Sequence, residues 1–391
     1  MRRDLTPQSV FAGALAAFVG FASSFAVVLQ GLRGVGASDS QAASGLMVAA
    51  IAMGACSIAL SLRTRMPVGV AWSTPGAALL ASSGVVPGGF PEAVGAFILC
   101  GLLLALAGLF RPLAKAVEAI PQALANALLA GVLVGLCLAP FKAIAYSPAM
   151  GLPILLAWIV AIRINRHLAV PAALLSFVVV VVIAIEYPSD WRGTLTQSLI
   201  PELILVRPSF SFEAAIGIAL PLFIVTMASQ NLPGIAVLRA NNFNTPPAQL
   251  ITTTGMFSTV GAFFGAHAVN LSAIVAAMMA SEEGGPDKDK RYVAAVTFGV
   301  ISIVLGVFAG VTTAFVSLAP VILIEAVAGL ALIGAFSASA VAAFRDESTR
   351  LAAAVTFLAS ASGITLWGIS GAFWGLMVGL IMILLTRPLK L

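Results

Sequence analysis

Of the 391 residues, 60% are hydrophobic and only 9% are charged, and the mean hydropathy is +1.08. A soluble domain carries about 25% charged residues, so this composition excludes a water-facing globular surface and reads as a polytopic membrane protein. The formal net charge of +5 belongs to the breaks between apolar runs and implies membrane topology rather than a nucleic-acid partner.

The first apolar run, residues 10–31, follows Arg2 and Arg3 in the manner of a signal peptide, but it is too long for one and is followed by equally apolar sequence. Thirteen more runs lie near 41–62, 68–83, 91–110, 120–140, 150–163, 169–187, 212–238, 248–264, 266–281, 292–316, 320–344, 351–364 and 368–386. With the N-terminus inside, the outer loops hold only Arg33, Lys142, Arg192 and Arg207 of the 20 Lys and Arg. That is a strong positive-inside bias, and it predicts fourteen segments in a cell inner membrane with both termini cytoplasmic. Dropping either short segment would flip every later loop and spoil the asymmetry. Glu118, Lys142 and Glu186 fall near segment ends, where they meet water. Cys56, Cys100 and Cys137 lie inside apolar runs without metal-ligand spacing. The fold class is all-α and polytopic.

Segment 3, Val68 to Leu80, and segment 10, Phe264 to Ala276, are too short to cross as helices, which takes roughly 20 residues. Each reads as a short strand (Val68–Ala71 and Phe264–His267, expected side by side), a capping residue and a half-helix. Gly69 matches Gly265 at a spacing of 196, and Thr74 then falls on Asn270. Short interrupted segments in matching positions of two halves point to the binding site of a secondary transporter. Pro121 to Gly135 also lines up with Pro320 to Gly334 at a spacing of 199, placing Asn126 on Glu325. These matches predict two repeats of seven segments, residues 1–187 and 212–391. Their odd number of crossings inverts the second relative to the first. The linker 188–211, with Trp191, Pro201 and Pro208, is expected on the outer surface, and Leu195 to Val206 is expected to form an interfacial helix.

A helix that begins inside the membrane leaves backbone N–H groups without acceptors, and they must face protein, water or ligand. Ser73 or Thr74 is suited to cap the first half-helix, Pro75 fits its first turn and Gly76 follows; Asn270, before Leu271, is expected to cap the second. Two such N-termini make a site of positive potential without a formal cation, and an anion fits it. Trp72 offers a ring face for a flat substrate or a packing anchor. In segment 8, Pro233 cannot donate to the Ser229 carbonyl, so that carbonyl and the amides of Gln230 and Asn231 form a polar knot. Those side chains are read as substrate contacts, with interhelical hydrogen bonding as the alternative. For proton coupling the titratable candidates at membrane depth are Glu325 and His267. No enzyme motif, metal-ligand cluster or nucleotide-binding loop stands in the sequence, so no cofactor is expected and active transport would run on an ion gradient.

At these residues the chain resembles the BenE-type benzoate:proton symporters. The matching stretches are Met66 to Leu80, Met227 to Gly234 and Gly265 to Leu271. It is more distantly similar to the uracil and xanthine permeases and to the sulfate-type anion transporters. The resemblance implies seven plus seven inverted segments, with a core domain (segments 1–4 and 8–11) moving against a gate domain (5–7 and 12–14). It also implies import of benzoate or a similar aromatic carboxylate with a proton. The nucleobase permeases carry carboxylates in segments 8 and 10; here Gln230, Asn231, His267 and Asn270 stand there instead. That favours an anionic substrate. A nucleobase permease and a passive organic-anion uniporter or channel remain the alternatives. The expected partners are substrate, proton and membrane lipid, with a homodimer as the candidate assembly.

Overall fold

The computed structural model describes all residues except 1–3, 111, 114, 116–118, 166–167, 186–190, 200–201, 368 and 387–391. Glu118, Glu186, Arg2, Arg3, Arg111, Arg166, Arg387 and Lys390 therefore lie outside the described residues. The first helices are α1 (Pro7–Gly34) and α2 (Asp39–Thr64). Strand β1 (Val70–Trp72) leads into α3 (Thr74–Ser83), and α4 (Phe90–Leu109) follows. Next come α5 (Gln122–Cys137), α6 (Ala139–Tyr146), α7 (Pro148–Ile164), α8 (Ala169–Ala184) and the short α9 (Trp191–Gln197). The long helix α10 spans Phe212–Ala240 and is followed by α11 (Pro247–Ala262). Strand β2 (Val269–Leu271) leads into α12 (Ala273–Ala280). The chain ends with α13 (Tyr292–Val307), α14 (Ala309–Ser317), α15 (Val321–Phe344), α16 (Arg350–Ala361), a hairpin of β3 (Thr365–Leu366) and β4 (Ile369–Ser370), and α17 (Gly371–Thr386). Among the described residues, seven helical stretches are long and apolar enough to cross a membrane.

Helices α2 and α13 pack on each other, as do α4 and α11, and α5 and α15. Gly54 and Gly299 meet where α2 crosses α13, each against the other's carbonyl oxygen, so neither has room for a Cβ. Such close backbone approach is the usual basis of helix association where lipid supplies no hydrophobic drive.

Two breaks in α10 follow from its prolines. Pro221 and Pro233 have no N–H for the carbonyls of Gly217 and Ser229. Just before each proline the helix widens to π geometry, at Ala215–Ala219 and Met227–Asn231. The Leu220 N–H reaches the Ala215 carbonyl, and the Leu232 N–H that of Met227. The carbonyl freed at Gly217 accepts a hydrogen bond from Ser370 Oγ at 2.8 Å, which ties the start of α17 to α10.

Two expectations need correction. The glycine expected to open segment 10 instead closes α11: Gly265 has φ +83°, and the Ala266 N–H returns to the Gly261 carbonyl at 3.2 Å. This is a glycine helix stop, so the strand starts later, at Val269. The linker helix is also displaced, to Trp191–Gln197, while residues 202–211 run without regular structure. Pro208 favours an extended chain before it, and the backbone there is bonded elsewhere. Val206 donates its N–H to the Phe263 carbonyl and Ser209 to that of Pro91.

The packing makes opposite predictions for two glycines. Gly299→Ala should lower the unfolding temperature in detergent, with overpacking of about 1–3 kcal/mol. Gly135→Ala should leave it unchanged or raise it, since a Cβ there meets open space and Ala is the better helix former by about 1 kcal/mol. Equal shifts in thermal unfolding would contradict this account of the crossing.

Candidate functional site

Strands β1 and β2 pair antiparallel, with Val70 opposite Leu271, Ala71 opposite Asn270 and Trp72 opposite Val269. The pair is closed at both ends by the residues that begin the half-helices. Ser73 donates its N–H to the Ala268 carbonyl and Ser272 to the Gly69 carbonyl, both at 2.9 Å. Each strand is then clasped by one serine of the helix before it. Ser57 Oγ of α2 accepts the Val70 N–H at 2.9 Å and donates to the Val70 carbonyl at 3.4 Å. Ser258 Oγ of α11 likewise accepts the Val269 N–H at 2.9 Å, and its hydrogen is shared between the Thr254 carbonyl at 2.8 Å and the Val269 carbonyl at 3.1 Å. Unpaired backbone in an apolar interior is expensive, and the two hydroxyls meet that demand on the outer edges of the sheet.

The half-helices are capped by equivalent residues. Ser73 Oγ accepts the Gly76 N–H at 3.2 Å, and Ser272 Oγ accepts the Val275 N–H at 3.3 Å. Asn270, expected as the second cap, lies inside β2; the later start of the strand moves that role to Ser272. Because the strands are antiparallel, α3 and α12 leave the sheet in opposite directions with their N-termini at its two ends. The caps and the strand pair leave Thr74 on α3 and Ala273 and Ile274 on α12 as first-turn amides without an acceptor among the described residues, so positive potential remains at both ends.

The predicted side chains fall into three groups. Trp72 is 2% exposed, donates Nε1–H to Ser24 Oγ at 2.8 Å and packs on Phe21 with ring centroids 5.4 Å apart. Leu271 and Gly76 are also buried, and a Cβ on Gly76 would collide with Leu222 and Ser73.

The second group is the polar shell around the strands. Asn231 Oδ1 accepts the Leu271 N–H at 2.9 Å, so the π turn of α10 holds the outer edge of β2. Ser73 Oγ shares a hydrogen bond with Thr226 Oγ1 at 2.9 Å, joining α3 to the same helix. His267 is 1% exposed, with Nε2 3.1 Å from the Ser73 carbonyl. A carbonyl can only accept, so in the neutral ring Nε2 carries the hydrogen. Nδ1 then presents a buried lone pair with no partner among the described residues. Asn270 donates Nδ2–H to the Leu271 carbonyl at 2.9 Å, and its buried Oδ1 is also unpartnered. Thr74, Ser229 and Gln230 are only half-buried and border this shell; Ser229 Oγ bonds the Val225 carbonyl at 2.6 Å.

Glu325 stands apart. It is half-buried near the start of α15, and the charge acting on it is Lys142 of α6. No hydrogen bond joins it to the strand pair among the described residues.

Sequence reasoning missed Ser57, Ser258, the Thr226 contact and the role of Arg291. The buried Arg291 caps the far end of α12, with Nη1 2.7 Å from the Ala280 carbonyl. A cation at a helix C-terminus complements its dipole. A serine 199 residues after Ser73 was a signal in the sequence for Ser272.

The family described as Benzoate membrane transport protein, BenE, matches residues 3–385. The chain belongs to the BenE family. It is 38% identical to Inner membrane protein YdcO of Escherichia coli, over 96% of this chain and 95% of that one. It is 30% identical to the Benzoate membrane transport protein of Acinetobacter baylyi, over 97% of this chain and 95% of that one. Members of this family are membrane transporters, not enzymes. The fold is that of the transmembrane domain of a cyanobacterial bicarbonate transporter, BicA: TM-score 0.62, 15% identity, 95% of this chain and 96% of that one. SLC26A9 gives a TM-score of 0.59 at 13% identity, over 96% of this chain and 65% of that one.

The clasps can be tested directly. Ser258→Ala leaves a buried N–H and carbonyl of β2 without their partner, a loss of about 1–3 kcal/mol. The unfolding temperature should fall for Ser258→Ala and for Ser57→Ala alike. An unchanged melting curve for both would show that the strand pair does not depend on them.

Proposed function

We propose that this transporter imports benzoate or a similar aromatic carboxylate by proton symport across the inner membrane, with alternating access to a site between the N-termini of α3 and α12. The observation that carries this is the antiparallel strand pair, with one half-helix starting at each end and, among the described residues, no charged side chain in the polar shell. An anion is attracted by both helix ends and meets no carboxylate among the described residues of the shell. The name of the Acinetobacter baylyi relative supplies the substrate class.

In this reading the chain forms fourteen segments in two inverted repeats, 1–187 and 212–391, joined by an outer linker, with both termini cytoplasmic. The core domain comprises segments 1–4 and 8–11, and the gate domain 5–7 and 12–14. The strand register supports a single spacing: Val70 and Val269, Ser73 and Ser272, and Pro121 and Pro320 all lie 199 residues apart. A two-fold relation through the Ala71–Asn270 pair exchanges the two strands. The substrate carboxylate lies between the two helix starts, within reach of the first-turn amides that the caps and the strand pair leave free: Thr74 on α3, or Ala273 and Ile274 on α12. Thr74, Ser229, Gln230 and the neighbouring Asn270 and Asn231 complete the site, with Trp72, Leu271 and His267 behind it.

The transported proton rides on His267 or Glu325. Protonation of His267 at Nδ1 adds positive charge beside Ser73, where the anion binds. Protonation of Glu325 removes a negative charge from the gate segment. Both couple proton and anion in the same direction, so substitution has to separate them.

Purified protein in liposomes should accumulate labelled benzoate against its gradient when the outside is acid, and a protonophore should abolish the accumulation. Downhill movement alone would leave a passive uniporter. His267→Gln or Glu325→Gln, whichever is the carrier, should retain benzoate exchange while losing uphill uptake; uphill uptake by both variants would exclude both residues. Gln230→Asp places a like charge at the site and should weaken benzoate binding by roughly 300-fold, for about 5 Å and an effective dielectric near 20. Unchanged affinity in a thermal-shift titration would place the pocket elsewhere.

A further inference from the structure

Between α4, α10 and α11 lies a cavity of about 590 Å³ that the transport site does not use. On α10 it is lined by Leu232, Ile235, Ala236 and Arg239, the spacing of one helix stripe. Gly234, which packs on Leu271 of β2, points to a different side of the same helix. The cavity therefore lies behind α10 as seen from the strand pair. It reaches from Arg239 to Met227, roughly 18 Å along the axis at 1.5 Å per residue.

The lining is divided sharply by chemistry. Among the described residues, Lys115 and Arg239 supply the only charged side chains of the lining, and every other lining residue is apolar. Arg239 is steadied by its Nε–H bond to Thr245 Oγ1 at 3.0 Å, which leaves its Nη groups for another acceptor. Among the described residues neither cation is in an ion pair. A small carboxylate passing down this groove would find no polar group between the cations and Met227. An acyl chain needs none, and basic pockets between membrane helices suit acidic lipid headgroups.

We propose that this groove holds one acidic phospholipid, with its phosphate on Arg239 and Lys115 and an acyl chain running along Ala236 and Ile235 towards Met227. This rests on the topology proposed above, which puts the two cations at the cytoplasmic leaflet. The tail then backs the π turn whose Asn231 holds β2.

Native mass spectrometry of the delipidated full-length protein tests this, with phosphatidylglycerol, phosphatidylcholine of the same chains, and glycerol 3-phosphate as the headgroup alone. Phosphatidylglycerol should be retained, and the other two should not. Lys115→Gln combined with Arg239→Gln should weaken retention by roughly 30-fold. Ala236→Trp, at an exposed position, should fill the groove and lower retention with both cations intact. Equal retention of the two lipids, or undiminished retention by both variants, would overturn the proposal. Binding of glycerol 3-phosphate as tight as the lipid would make this a site for soluble anions, and displacement of lipid by benzoate would make it a substrate path; either overturns it. Benzoate binding by each variant is measured in parallel, and its persistence when the lipid is lost separates this proposal from that of the transport site.

Discussion

Everything at the centre of this molecule depends on satisfying six residues of extended, mostly buried backbone. A helix closes its own hydrogen bonds, but a strand in an apolar interior cannot. Here two three-residue strands solve the problem by pairing with each other. Their outer edges are then closed by side chains: Ser57 and Ser258 on the first residue of each strand, and Asn231 on the last residue of β2. The pairing also determines where the half-helices begin. A shift of the register would move Ser73 and Ser272, and with them the two positive helix ends.

The same economy explains the long helix α10. Its second proline frees the Ser229 carbonyl and widens the turn Met227–Asn231, and that turn presents Asn231 to β2 while Thr226 meets Ser73. One irregular turn thus touches both halves of the strand pair. Helix defects of this kind recur at functional sites because they free backbone groups and re-aim side chains. A helix that contacts both broken segments is well placed to report occupancy of one to the other.

The broken segments were legible in the sequence because their lengths, prolines and capping residues each carry a local physical meaning. The register between them was not. Gly69 and Gly265 match as letters, but Gly265 belongs to the end of α11, where its positive φ stops the helix. Small apolar residues repeat so often in this chain that an alignment slides by three positions without penalty. The serine clasps were hidden for a related reason. A serine inside an apolar helix looks like a packing residue until the strand beside it is placed. Trp72 shows the limit from the other side: its composition offered a ring for a substrate or for packing, and its indole is occupied by Ser24 and Phe21.

The central claim is that a carboxylate is held by backbone at two opposed helix starts. A structure of the protein bound to 4-iodobenzoate, with the iodine located by anomalous scattering, tests it most directly. The account predicts the carboxylate between the two helix starts, about 3 Å from a first-turn amide of α3 or α12, with the ring leaving towards Gln230. A ligand bound instead in the aromatic cavity between Phe21 and Phe177, with both helix starts untouched, would contradict it.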